Sequence, residues 1–471
     1  MKYVSTRGAA PAVEFEDVLL AGLARDGGLY LPESWPRFGA EEIRELRCLD
    51  YAELAARIAR PFVGGALSED DLDALFAEAY AGFDHPAVAP LKQLDRELWF
   101  LELFHGPTLS FKDFALQVLG RLFDRVLVRR GQRLTIVGAT SGDTGAAAIE
   151  ACRDRPQVEI FILHPKGRIS EVQRRQMTTV AAENVHNIAI EGTFDDCQDL
   201  VKAMFNDALF RAEMNLSAVN SINWARIMVQ IAYYFAAAAA LGAPERAVDF
   251  AVPTGNFGNV FAGYAARAMG LPIHRLWVGS NSNDILTRTF ATGAMTIAEV
   301  QPTLSPAMDI QVSSNFERLL FELYGRDGAE VGALLERFRR TGEAVLDAAA
   351  LEALREVFAG HRLDDRETLA EMARLYRETG EMIDPHSAIG IATARALSGG
   401  SEPPVIALGT AHPAKFPDAV EQACGLRPAL PARLADLYQR EERCLALPND
   451  LGRVQAAIRG RVGANRGRLA S

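Results

Sequence analysis

From Leu134 onward, short apolar runs alternate with segments in which apolar residues recur every three or four positions. Runs over residues 134–137, 158–163 and 187–190 predict strands, and residues 146–152, 171–180 and 194–205 predict the helices between them. The alternation resumes at Phe250-Ala251-Val252, with a helix over 259–269, and Val405-Ile406-Ala407-Leu408 predicts a late strand. Strand and helix in turn imply parallel α/β sheets. The most apolar run, residues 227–241, is interrupted by Gln230 and is too short to span a bilayer, so it predicts a buried helix. Residues 326–379, rich in Glu, Arg, Ala and Leu, predict helices on the outside.

Residues 1–95 follow a different pattern. Helical spacing over 15–23, 50–58 and 69–80, with a turn at Asp26-Gly27-Gly28 leading to a short strand, predicts a mostly helical unit. Pro86 and Pro90 mark its end. A strand over 99–104 then feeds a loop, after which Leu116, Leu119, Phe123 and Leu127 recur at helical spacing as far as Gly131. Ser110 is the expected N-cap of that helix, with Asp113 completing a near capping box. The expected organisation is an N-terminal unit over 1–95, a large α/β domain over 96–133 and 215–471, and a small α/β domain over 134–214. The Arg-rich end (Arg453, Arg459, Arg461, Arg466, Arg468) predicts a frayed or solvated helix.

About half of the 471 residues are apolar and a quarter charged, as in a globular protein with sizeable cores. The net charge of -11 gives no general attraction to nucleic acid or to an anionic membrane. Five scattered cysteines, without a CxxC pair or metal-ligand spacing, favour a reducing compartment. The N-terminus lacks the apolar core of a signal peptide, so a cytoplasmic protein is expected.

Candidate chemistry gathers at a few loops. Lys112, in Ser110-Phe111-Lys112-Asp113, stands in the first turn of its helix, where the macrodipole disfavours an ammonium. A lysine that releases its proton there can serve as nucleophile or base. Gly138-Ala139-Thr140-Ser141-Gly142-Asp143-Thr144-Gly145 lies between a strand and a helix, and its glycines and free amides suit an anion. Pro253-Thr254-Gly255-Asn256-Phe257-Gly258-Asn259 is a second loop of this kind. Neither fits GxGxxG or GxxxxGK[ST], which argues against a dinucleotide or a P-loop nucleotide. Thr410 and His412, after the late strand, and the polar turn Asp384-Pro385-His386-Ser387 are placed to face a ligand crevice. Of the basic residues Lys166, Arg168, Arg174, Arg175 and Arg226, only Arg226 stands out. It follows Asn220-Ser221-Ile222-Asn223-Trp224 at the start of the buried helix, where an arginine needs a partner. The others read as a solvated face. Residue physics thus reaches an α/β crevice with two anion loops and one special lysine.

Taken in order, these motifs resemble the threonine synthase family, pyridoxal-phosphate enzymes of fold type II (the tryptophan-synthase-β type). Tyr3-Val4-Ser5-Thr6-Arg7-Gly8, Asp26-Gly27-Gly28-Leu29-Tyr30, His105-Gly106-Pro107-Thr108 and Gly409-Thr410-Ala411-His412-Pro413 join the loops above in carrying the resemblance. It implies two open parallel-sheet α/β domains with an added N-terminal unit, and a Schiff base between Lys112 and pyridoxal 5'-phosphate. It implies a cofactor-phosphate cradle at Gly255, Asn256, Phe257, Gly258 and Asn259, and a hydroxyl at Thr410 for the pyridine nitrogen. Ser141, Gly142, Asp143 and Thr144 match the loop for the substrate carboxylate, and the partner of Asp143 is open. The implied reaction, a lyase step of threonine biosynthesis, converts O-phospho-L-homoserine and water to L-threonine and phosphate. Asn223 and Arg226 are candidates for the substrate phosphate. The alternatives are a phospholyase giving 2-oxobutanoate and a cofactor-free binding homologue. A monomer or a homodimer is expected.

Overall fold

The structure, a computed structural model, describes residues 1–218, 221–399 and 403–469, with side chains described to residue 463. Asn220 of the stretch before Arg226 lies outside the described residues. The chain forms two compact units, Met1–Ala115 with Ser221–Pro428, and Leu116–Asn220 with Ala429–Ser471.

In the first unit a six-stranded sheet runs in the order Phe358–Arg362, Ile273–Ser280, Val248–Pro253, Val405–Gly409, Leu98–Glu102, Leu91–Gln93. All neighbours are parallel except the Leu91–Gln93 edge. Every residue of Val248–Pro253 and Val405–Gly409 is buried, which is why these strands read as continuous apolar runs without alternation. The apolar run is the helix Trp224–Ala240, buried along nearly its whole length.

The first 95 residues are not a separate body but part of this unit. Asp50 and Glu53 close a capping box on the helix Tyr51–Val63. Its buried face carries Phe62, whose ring lies 5.5 Å from Trp224, and Tyr51, 5.5 Å from Phe114. The segment also contains a three-stranded antiparallel sheet, in the order Val13–Glu14, Lys2–Ser5, Tyr30–Pro32. Large aromatic rings shared with the Trp224 helix merge what the proline boundary divides.

The second unit holds five parallel strands in the order Leu445–Pro448, Val185–Glu191, Val158–Pro165, Leu134–Ala139, Leu216–Ser217. The small domain therefore draws on residues that the sequence reading gave to the large one. Leu445–Pro448 supplies an edge strand, and the helix Leu451–Leu469 buries Val454, Ile458 and Val462 with Phe161, Leu163 and Cys197. That packing leaves the solvated helix of the two alternatives, since Arg453, Arg459 and Arg461 are exposed on it; the side chains of Arg466 and Arg468 lie outside the described residues. Arg459 pairs with Glu213 at 2.9 Å. Within 326–379 the helices are present, but Phe358–Arg362 is an edge strand of the large sheet. Ala359 and Gly360 dilute its apolar signal.

Candidate active site

The strand Leu98–Glu102 delivers the chain to a loop that is tied to the loop after Val405–Gly409. Leu103 N donates to Gly409 O (2.9 Å), Phe111 N to Thr410 O (2.9 Å), and His412 N to Leu109 O (3.0 Å). Ser110 is paired with Ala411 in this register, and Lys112, the first residue of the helix Lys112–Arg130, follows directly on the Phe111 that is bonded to Thr410. Lys112 is buried, and its ammonium lies 4.8 Å from the centroid of the Phe111 ring.

The N-terminus of this helix is held differently from the capping box expected. The Ser110 hydroxyl is buried and makes no hydrogen bond among the described residues, so it caps nothing. Instead the Asp113 carboxylate turns back and accepts from Thr108 N (2.8 Å) and Thr108 Oγ1 (2.7 Å), while Lys415 Nζ donates to Thr108 O (2.6 Å). Two acceptor bonds to one upstream residue outcompete the bond to Ser110 N, which is 3.5 Å long. Gly106 leaves room for this carboxylate, since a Cβ there would stand 2.5 Å from Asp113 Cβ.

Burial pushes the Asp113 carboxyl up to about 6, against the Thr108 bonds and the positive charge of Lys415. Its acid is stronger in the unfolded chain, so the folded protein loses stability as pH rises from about 4 through 6. The slope from this group amounts to about 3 kcal/mol at ~1.4 kcal/mol per unit. Urea melts between pH 4 and 7 are expected to show it, and Asp113→Asn to flatten it; an unchanged slope in the variant would refute the assignment.

Thr410 N donates to Ser387 Oγ (3.1 Å). Ser387 Oγ in turn bonds the fully buried Asp384 carboxylate, which caps the helix Pro385–Leu397 and accepts from His386 Nδ1 at 2.7 Å. The polar turn at 384–387 therefore fixes Thr410. His412 accepts from Ala414 N through Nδ1 (3.1 Å) and packs edge-on against Phe104. Burial, reinforced by His105, pushes it down to about 4, so it is neutral near pH 7.

The second anion loop follows Val248–Pro253. Phe257 takes φ +62° ahead of the helix Gly258–Ala268, while its ring packs 5.2 Å from Phe316. Gly255 is required by close approach: a Cβ there would meet Ala307 O at 2.5 Å. Asn259 Oδ1 accepts from Tyr233 (2.6 Å) and Tyr234 (3.0 Å), which orients the amide. Its Nδ2 is buried and has no hydrogen-bond partner among the described residues. The amides of Asn256 to Asn259 likewise have no backbone acceptor among them. A phosphate oxygen satisfies such donors at a helix N-terminus, so this turn fits a phosphorylated cofactor.

Arg226, in the first turn of the Trp224 helix, is 4 % exposed, and its Nε and Nη1 lack partners among the described residues. Burial alone pushes its guanidinium down to about 10. Asn223 differs: Oδ1 caps the helix from Ala225 N (3.0 Å) and Nδ2 donates to Leu19 O (2.9 Å). Its amide thus caps the helix and ties it to Leu19, with one of the two Nδ2 hydrogens used.

In the second unit, Thr140 Oγ1 accepts from Gly142 N (3.0 Å) and Gly145 N (2.9 Å), shaping the turn before the helix Asp143–Cys152. Gly142 holds φ +137°, barred to larger residues. Ser141 and Thr144 are half-buried, and Asp143 is buried. Asp143 Oδ1 accepts from Gln173 Nε2 (2.8 Å), and Ser170 Oγ holds the other end of that amide at 2.9 Å. Gln173 and Tyr233 shape these loops without having been assigned from the sequence, while Thr140 and Ser387 were read there only as parts of their loops. Only Thr140 carries a local signal, a hydroxyl two residues before a turn glycine. Lys166, Arg174 and Arg175 pair with Glu191, Glu171 and Glu442, as a solvated face does.

Comparison with known proteins identifies the class and then the family. Residues 84–363 match the family model described as pyridoxal-phosphate dependent enzyme, so the fold belongs to that class. Residues 2–80 match the threonine synthase N terminus and residues 387–458 the threonine synthase C-terminal model. The threonine synthase of Pseudomonas aeruginosa is 57 % identical over 97 % of this chain and 98 % of its own. Pyridoxal-phosphate-bound threonine synthase from Brucella melitensis superposes with a TM-score of 0.96 at 55 % identity, covering 98 % of this chain and 99 % of that one. The enzyme from Escherichia coli gives 0.82 at 33 %, covering 98 % and 100 %. The chain belongs to the threonine synthase family. It is a pyridoxal-phosphate-dependent lyase of threonine biosynthesis. No described helix is long and apolar enough to cross a membrane.

Proposed function

We propose that the substrate is O-phospho-L-homoserine and that two buried, unmet donor groups divide its phosphate from that of the cofactor. The observation that carries this reading is the pair Asn259 Nδ2 and Arg226 Nε/Nη1, both desolvated without an acceptor. Burying such groups unpaired costs several kcal/mol, so each calls for an acceptor, and a phosphate oxygen would serve both. The Gly255–Asn259 turn takes the cofactor phosphate, and Arg226 takes the substrate phosphate.

The bound cofactor supplies the electron sink. Lys112 would hold the cofactor through its aldehyde, and its amine, once free, would take the proton from the substrate Cα. The apolar wall of Phe111 keeps water from that amine. Thr410 would hold the cofactor's ring nitrogen through a neutral hydroxyl, and neutral His412 adds no positive charge to the same loop. The amides and hydroxyls of Ser141 to Thr144, braced by Thr140 and Gln173, hold the substrate carboxylate. Lys112 would also take a Cβ proton as phosphate leaves Cγ toward Arg226; protons then return to Cγ, making the methyl, and to Cα, while water gives its hydroxyl to Cβ and its proton to the released phosphate. The five free cysteines suit a cytoplasmic, reducing location.

Product analysis tests the reading. The protein with pyridoxal phosphate and O-phospho-L-homoserine is expected to give threonine and phosphate in equal amounts. Phosphate accompanied by 2-oxobutanoate would instead identify a phospholyase.

A further inference from the structure

We infer that Ser313, Asn315 and Arg318 form a positioning element that aims the amides of the Gly255–Asn259 turn at the cofactor phosphate. This rests on the reading of that turn as a phosphate cradle. None of the three touches the reacting atoms in that reading; they act through the backbone they hold.

The geometry begins with carbonyls. Ser313 Oγ donates to Gly255 O at 2.7 Å. Asn315 donates to Asn256 O through both its backbone N (3.1 Å) and its Nδ2 (2.9 Å). Between them, Ser314 Oγ donates to the side chain of Asn256 at 3.2 Å. Three consecutive residues thus grip two consecutive residues of the turn. In a planar trans peptide, C=O and N–H point to opposite sides. Anchoring the carbonyls of Gly255 and Asn256 on the Ser313–Asn315 side therefore turns the N–H groups of Asn256 and Phe257 the other way. Those are the amides left without backbone acceptors. The positive φ of Phe257 continues the same concave arc.

Asn315 can do this only in one amide orientation, and Arg318 sets it. Arg318 Nη1 donates to Asn315 Oδ1, which leaves Nδ2 facing Asn256 O and, at 3.1 Å, Ser221 O. The guanidinium is fully buried, with Nε on Tyr30 O (3.0 Å) and Nη2 on Ile222 O (2.6 Å). The neighbouring Glu317 is engaged by Thr6 (2.6 Å) and Arg7 (3.1 Å), so carbonyl oxygens carry the solvation of this cation. A buried charge satisfied by three neutral oxygens in a fan suits the planar fork of arginine and not the point charge of lysine. Through Ser221 and Ile222 the same cluster also holds the turn that leads into the Arg226 helix.

Titration of the apoenzyme tests the role, using pyridoxal phosphate and pyridoxal (visible absorbance) and inorganic phosphate (calorimetry). Ser313 is half-buried, so Ser313→Ala is expected to fold and to keep the melting temperature of the wild-type apoprotein. Its dissociation constants for pyridoxal phosphate and inorganic phosphate should each rise about fivefold, which is about 1 kcal/mol at 1.4 kcal/mol per tenfold. Its affinity for pyridoxal should stay unchanged. Arg318→Met should weaken pyridoxal phosphate by about tenfold or more, and Arg318→Lys should not restore it. Wild-type affinity for both phosphates in Ser313→Ala overturns the role, and so does an equal loss for pyridoxal, which signals general loosening. A wild-type protein that binds pyridoxal as tightly as its phosphate fails earlier, at the cradle reading, and the positioning role falls with it.

Discussion

Lys112→Ala is expected to lower the rate of phosphate release from O-phospho-L-homoserine by about 10³-fold or more, because one amine is asked to bind the cofactor and to move the Cα proton. The visible band of the bound aldehyde should vanish in the same variant. Lys112→Arg should not rescue either signal, since a guanidinium does not give up its proton at neutral pH. The fold should survive the change. The loop is fastened by backbone bonds from Phe111 and His412 and by the Asp113 carboxylate, none of which involves the Lys112 ammonium. A variant that keeps a tenth of wild-type turnover would remove Lys112 from the reaction.

Arg226→Met is expected to act in two directions at once. The guanidinium is buried, and no described carboxylate pairs with it. Replacing a buried unpaired cation with an apolar chain of similar length should stabilise the ligand-free protein, by about 1–4 kcal/mol on the precedent of buried ion replacements. The same change should raise KM for the phosphorylated substrate by about 10²-fold, the scale of removing one partner of a desolvated charge pair. Thermal melts of the apoprotein and steady-state kinetics check the two halves. A destabilised variant with unchanged KM would show that Arg226 is a structural residue whose partner is a bound water. The affinity for pyridoxal phosphate should not change, because that group belongs to the Gly255–Asn259 turn.

The parts of this site that were legible in the sequence share a physical cause. The loops at Thr140–Gly145 and Gly255–Asn259 announce themselves because glycine between a strand and a helix leaves few alternatives to a tight turn with free amides. Lys112 was legible from helical spacing on one side and a strand on the other. Arg226 was legible as a charge in an apolar run. What escaped is whatever depends on pairing between distant residues. Ser110 is a good local cap, yet Asp113 serves Thr108, since Gly106 leaves that space open only in the folded loop. Asn223 caps the Trp224 helix and also ties it to Leu19, a long-range bond that its sequence neighbours do not announce. Gln173 meets Asp143 across 30 positions. Leu445–Pro448 joins the small sheet although it follows the large unit, because a four-residue edge strand with two exposed positions carries little apolar signal. The fold class survives such misses, since alternating strands and helices are a repeated pattern and no single element decides it.

The fastening of the lysine loop to the segment around Thr410 has a consequence for synthesis. The hydrogen bonds that seat residues 109–111 come from residues 410–412, most of the way to the other end of the chain. The strand Leu98–Glu102 also pairs with Val405–Gly409 in the sheet. On the ribosome, Lys112 is made early and has no seat until most of the protein has followed it. Contacts of such sequence separation form late and slowly. A growing or prematurely terminated chain therefore carries the amine without its setting and cannot sequester the cofactor in half-made molecules. The seat of the lysine is complete only when the last strand of the large sheet slots in between its two neighbours.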